Sequence, residues 1–158
     1  MSHELRLERL FDASPEEVFD AWVDPRAQDA LFTTGGPPGW TLHESSIDLR
    51  VGGTWLTVVG PADGVPDRIT AVFTEIERPH RLRYRSSMYV HGWGRTLETE
   101  VTLLFEDRDD ETLVTVIQTG FDTEEDRDAF THGWPGLLDS FGQVLKARHD
   151  TEEGNTDD

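Results

Sequence analysis

The 158-residue chain reads as a single α+β domain: an antiparallel sheet of about seven strands with two short helices near its start and a long helix at its end. Three observations predict this. Short segments of alternating polar and apolar residues, divided by turn signals, run from Trp40 to Gly120. A cap followed by proline opens a helical pattern at Ser14-Pro15. An apolar stripe at helical spacing fills the last third, through Trp134, Leu137, Leu138, Phe141, Val144 and Leu145.

The elements follow in order. Glu4 to Arg9 alternates, which makes a strand with one buried face. Ser14 can cap a helix, Pro15 suits its first position, and Glu17 can close a capping box. Val18, Phe19 and Trp22 then form its buried stripe. Asp24-Pro25 repeats the start signal, so a second short helix should run through Ala27, Ala30 and Leu31. Gly35-Gly36-Pro37-Pro38-Gly39 reads as a loop.

Strands are expected over Trp40 to Leu49, Thr54 to Val59 and Arg68 to Ile76, with turns at Gly52-Gly53 and Gly60 to Gly64. On the next strand Leu82, Tyr84, Ser86 and Met88 share a face, and Arg81, Arg83 and Arg85 share the other. Thr99, Val101, Leu103 and Phe105 point inward on the strand after it, which leaves Glu98 and Glu100 outside to pair with the arginines. Asp107 to Asp110 is a charged hairpin loop, and Thr112 to Thr119 is the last strand. The inner face of that strand is ambiguous: it holds either Gln118 or Leu113, Thr115 and Ile117.

Thr123 and the acids Glu124, Glu125 and Asp126 suit the start of the final helix. Pro135 lacks an N–H, so a kink or break is expected there, with the longer piece reaching about His149. Residues 1–149 are read as one domain, and the acidic segment 150–158 as a disordered tail.

Composition narrows the function. There are no cysteines, which excludes disulfides, thiolate metal sites and cysteine nucleophiles. Asp and Glu total 32 against 14 Lys and Arg, for a net charge of −18. Such a field repels phosphate backbones and anionic lipid, so neither nucleic acid nor a membrane is expected as partner. No apolar run has the length of a spanning helix and no signal peptide is visible, so the cytoplasm is the expected location. Lys146 is the one lysine beside 13 arginines. Acidity with lysine depletion suits life at high salt, and a GC-rich genome is the competing explanation.

The order of motifs is more specific than any one of them. Ser14-Pro15-Glu16-Glu17-Val18-Phe19-Asp20-Ala21-Trp22 resembles the opening of the START-like (SRPBCC, helix-grip) superfamily. Asp48-Leu49-Arg50-Val51-Gly52-Gly53-Thr54-Trp55 resembles a segment of one branch, the family named for the C-terminal domain of the activator of the Hsp90 ATPase (AHSA1). Ile76 to Leu82, Val101 to Phe105, and Gly133-Trp134 before Leu137-Leu138 extend the resemblance over about residues 3 to 149. It implies a helix-grip fold, in which a curved sheet wraps the C-terminal helix and an apolar cavity lies between them. It also implies a ligand that is a hydrophobic or amphipathic small molecule. An Hsp90 partnership is disfavoured, because the chain has no room for a separate Hsp90-binding domain and carries a large negative charge. A homodimer is not derivable from the sequence.

The ligand-binding set expected in such a cavity is Trp55, Tyr84, Met88, Trp93, Thr99, Val101, Gln118, Trp134, Leu137, Leu138 and Phe141. Tyr84, Trp55 and Trp134 matter most, because a buried O–H or N–H wants a partner. Trp93, within His91-Gly92-Trp93-Gly94-Arg95, reads first as part of a turn and second as a cover for the cavity mouth. Asp48 and Arg50 read as residues that fix the Gly52-Gly53 turn. No zinc signature, nucleophile elbow or phosphate loop is present, so no metal, cofactor or catalytic residue is assigned. A polyketide cyclase or dehydratase-like enzyme is the alternative; it needs an acid or base in the cavity, for which His91 and His43 are the nearest candidates. A stress-related, chaperone-like module using the apolar groove is the second alternative.

Overall fold

The computed structural model describes residues 3–28 and 39–156, with side chains as far as Arg148. The strands are β1 (His3–Phe11), β2 (Trp40–Ile47), β3 (Thr54–Pro61), β4 (Asp67–Glu77), β5 (Arg81–Val90), β6 (Arg95–Arg108) and β7 (Glu111–Phe121). They form one antiparallel sheet in the order β1-β7-β6-β5-β4-β3-β2. Helix α1 (Pro15–Trp22) and a helical turn over 25–28 follow β1, and helix α2 (Glu124–Thr156) closes the chain. This is the helix-grip arrangement. Ala30, Leu31 and the loop residues Gly35 to Pro38 lie outside the described residues.

Local chemistry sets the element ends. Ser14 caps α1 by accepting the Glu17 N–H at 3.3 Å. Between β2 and β3, Arg50 Nε donates to Asp48 Oδ2 at 2.7 Å, and the Gly52 N–H donates to the Phe73 carbonyl at 2.8 Å. A Cβ on Gly53 would lie 2.1 Å from the Asp48 carbonyl oxygen, so only glycine fits that turn. Asp48 and Arg50 thus act on the turn itself.

The outer face of the sheet carries the charges. Arg83 meets Glu100 at 3.7 Å, while Arg81 turns to Glu75 on β4 at 3.3 Å. Such exposed pairs contribute about 0.2–1 kcal/mol each at best. β6 starts at Arg95, four residues before the expected Thr99, because Thr96, Leu97 and Glu98 continue the hairpin opposite Tyr89, Met88 and Ser87. On β7 the buried inner residues are Thr112, Val114, Val116 and Gln118, which resolves its ambiguous face.

The expected break at Pro135 is absent, and α2 runs unbroken from Glu124 to Thr156. Proline removes one ladder bond, the one that would end on the Thr131 carbonyl. Buried side chains on both sides of it, Trp134 before and Leu138, Phe141 and Leu145 after, hold the helix to the sheet and outweigh that loss. The helical backbone continues into the acidic C-terminal segment, whose side chains lie outside the described residues.

The core divides in two. Toward α1 it is filled: Phe11 packs edge-on to Phe141 at 5.3 Å, Phe19 edge-on to Phe105 at 5.4 Å, and Val114 and Val116 are sealed beneath them. Toward β3, β4 and β5 the sheet and helix stand apart.

Candidate functional site: a cavity between sheet and helix

The strand register arranges the inner face of the sheet, part of which floors the cavity, in rows. Thr57, Ile69 and Met88 align across β3, β4 and β5. Trp55, Ala71 and Ser86 form the next row, and Phe73, Tyr84, Val101 and Gln118 the one after. All belong to one face because residues two apart on a strand point the same way. Small residues, Ala71 and Ser86, sit in the middle row, so the floor is lowest there. The roof is the first half of α2, through Ala129, Phe130, Gly133, Trp134 and Leu137, with Trp22 of α1 and Gln28 at the inner end. Between them lies a cavity of about 310 Å³, within the size range of small-molecule sites.

Of the expected set, Trp55, Tyr84, Met88 and Trp93 line this cavity, as do Val101, Trp134 and Leu137. The other four do not. Leu138 and Phe141 face the filled half, where Phe141 meets Phe11 and Trp22. Gln118 and Thr99 are spent on each other and on the helix. Gln118 Nε2 donates to Thr99 Oγ1 at 2.9 Å, and the Trp134 indole N–H donates to Gln118 Oε1 at 2.9 Å. This chain of bonds fixes the Trp134 ring and leaves its N–H nothing to give a ligand.

Several lining residues were missed by the sequence reading. Thr57, Ile69 and Ala71 could have been found from strand parity once Trp55 was placed inside. Phe130 lies one helical turn before Trp134. The helical spacing of Trp22 predicts only a place in the buried stripe of α1. Trp22 stacks on Trp134 at 6.2 Å and also borders the cavity. Its Nε1 is buried with no well-formed hydrogen bond, yet lies near enough to the Tyr84 hydroxyl to favour charge on that oxygen.

Tyr84 is 8% exposed and wedged by Trp55 at 5.6 Å and Phe73 at 6.2 Å, both edge to face. Burial pushes its hydroxyl pKa well above the ordinary value, against a smaller opposing effect of Trp22. The phenol is therefore protonated throughout the neutral range.

At one border of the cavity the β5–β6 hairpin meets the start of α2. Trp93, 42% exposed, packs against Phe130 at 6.3 Å. Arg95 sits over the Trp93 ring at 5.2 Å and forks onto both oxygens of Asp126. Arg95's hydrogen bonds hold the Asp126 carboxyl below the usual carboxylate range, against desolvation. Asp126 is buried and its N–H donates to Thr123 Oγ1 at 3.1 Å, so the same residue starts the helix and anchors the hairpin. The Gly-rich segment is a turn, and its Trp93 lines the cavity.

No Asp, Glu, His, Lys or Arg is among the described lining residues. His91 stands at the exposed hairpin tip, and His43 Nε2 meets the Pro61 carbonyl at 3.0 Å on exposed β2. Neither candidate for acid–base work borders the cavity. No group of acids and histidines suited to a metal ion occurs among the described residues, and none of their helices is long and apolar enough to cross a membrane.

The family model for Activator of Hsp90 ATPase homolog 1-like protein matches residues 12–146. No curated protein matches the chain. Among solved structures, an uncharacterized protein from Rhizobium leguminosarum superposes with a TM-score of 0.76 at 26% identity, over 93% of this chain and 96% of the other. An AHSA1-like protein from Aeromonas hydrophila has a TM-score of 0.74 at 25% identity, over 93% and 94%. A Staphylococcus aureus protein of unknown function has a TM-score of 0.76 at 17% identity, over 95% and 97%, which speaks for the fold alone.

Proposed function

From a chain that belongs to the Activator of Hsp90 ATPase homolog 1-like family and holds this hollow, we infer a binding protein for a hydrophobic or amphipathic small molecule. One observation carries the reading. The domain leaves about 310 Å³ unfilled beside a tightly packed half-core, and aromatic and aliphatic side chains line it. Unfilled apolar volume costs a protein about 24 cal/mol per Å³ in mutational series, so a core that keeps such a hollow forgoes stability that packing would supply. A guest recovers it by burying its own apolar surface, at about 25 cal/mol per Å² before ordering costs.

The cyclase-like alternative has no acid or base among the described lining residues to carry it. A chaperone-like role would need to seat a peptide segment, for which a cavity of about 310 Å³ is small.

Native mass spectrometry of the purified protein tests the reading. A bound mass of one small molecule per chain, released by organic solvent, is expected. Calorimetric titration with a neutral naphthalene provides a second test. Saturable binding should vanish when Ala71→Phe fills the floor of the cavity with the fold intact by circular dichroism. Equal binding by the filled variant would sink the assignment.

A further inference from the structure

We propose that the cavity selects an uncharged ligand and holds it by an acceptor oxygen, such as a ketone carbonyl, on the Tyr84 hydroxyl. This rests on the cavity-binding reading above and specifies the ligand class.

Several buried polar tips face this region, among them the indoles of Trp22, Trp55 and Trp134 and the Tyr84 hydroxyl. The Trp134 N–H is committed to Gln118 at 2.9 Å. The Trp22 N–H, a donor only, is buried near the Tyr84 oxygen with no well-formed hydrogen bond. An indole N–H cannot accept the phenol's proton, so that proton must find an acceptor elsewhere. Among the described residues no acceptor receives that proton, and Tyr84 lines the cavity. The Tyr84 hydroxyl is thus left to present its proton to the guest. Its ring cannot swing away, because Trp55 and Phe73 hold it edge to face. Ser86 follows Tyr84 on the inner face of β5, and its hydroxyl adds polarity at the same place.

Charge completes the choice. A carboxylate in this cavity would shed its water and meet no cation among the lining residues. The net charge of −18 opposes its entry as well. A neutral carbonyl needs only the one hydrogen bond that is waiting.

Three probes of one shape separate the possibilities: methyl naphthyl ketone, isopropylnaphthalene and naphthoate. Their affinities are measured by calorimetry for the full chain and for Tyr84→Phe, a change that removes one oxygen and no ring contact. The ketone should weaken about tenfold in Tyr84→Phe, the hydrocarbon should stay within about twofold, and naphthoate should bind the parent chain more weakly than the ketone. The infrared carbonyl band of the bound ketone should shift to lower frequency in the parent and return in Tyr84→Phe. An unchanged ketone affinity and band in Tyr84→Phe, with ketone and hydrocarbon both bound, would overturn the acceptor assignment and leave the cavity reading standing. Naphthoate binding as tightly as the ketone would overturn the preference for an uncharged guest. Binding by none of the three would overturn the cavity reading itself, and this inference with it.

Discussion

Gln118→Leu tests how the cavity wall is held. The side chain is 3% exposed and makes two hydrogen bonds of 2.9 Å, accepting from Trp134 and donating to Thr99. Leucine is close to it in volume, so the change removes polarity with little cavity. The Trp134 N–H is then left buried without a partner, which costs about 1–3 kcal/mol. Thr99 is half-buried and loses an ordinary bond, worth about 0.5–1 kcal/mol. Leucine's greater affinity for an apolar site offsets about 1 kcal/mol of this total. The expected net loss is about 0.5–3 kcal/mol, read as a drop of roughly 1–12 °C in Tm for a domain of this size. Urea unfolding followed by circular dichroism gives the free energy directly. Gln118→Glu with the same pair of partners should cost less near pH 4, where the acid is neutral, than at pH 7. A Gln118→Leu protein as stable as the parent would mean that the bond chain does not hold Trp134.

Four further outcomes are expected. Pro135→Ala restores the missing ladder bond in an unbroken helix and should raise stability by about 1–3 kcal/mol in urea; a destabilised variant would mean the proline ring packs better than the helix needs. Asp20, Asp24 and Asp126 all have carboxyls held below their ordinary range: Arg78's hydrogen bond acts on Asp20, Arg95's on Asp126, and the Arg26 N–H and Arg148 overcome desolvation at Asp24. Their folded pKa values lie under the unfolded ones, so their stabilisation is complete above about pH 4 and fades as pH falls through the folded values; the acid limb of a stability titration should flatten in Asp126→Asn. Arg95→Ala should free the hairpin from α2 and speed both entry and release of a bound naphthalene while changing the equilibrium constant less, as stopped-flow mixing would show. The thermal midpoint should climb from low to multimolar KCl if the excess of acids is adapted to salt; a flat response would favour genome composition as its cause.

Much of the frame was legible because it depends on local signals. Alternation along Arg81 to Met88 placed Tyr84 and Met88 on the inner face, and the Ser14-Pro15 start placed α1. What was hidden depends on distances between elements. Gln118 could not be assigned a face from a strand whose two sides are both apolar enough, since Leu113 and Ile117 compete with Val114 and Val116. Its bond to Trp134 joins β7 to α2, and no spacing in the sequence announces that. Leu138 and Phe141 share the stripe that carries Trp134 and Leu137, yet they face the filled half, where Phe141 meets Phe11 and Trp22. Trp22 serves both halves at once. Pro135 misled for the converse reason: its local preference is real, and packing on both sides overrules it.

Of the five tryptophans in the chain, four, Trp22, Trp55, Trp93 and Trp134, border the hollow. The ultraviolet emission of the protein therefore comes mostly from indoles whose surroundings change when a guest arrives. Water leaving their side should move that emission to the blue, and an occupant absorbing in the near ultraviolet should drain it by energy transfer. The fold carries its own optical gauge of occupancy, which makes unlabelled screening of whole compound collections a practical route to the natural ligand.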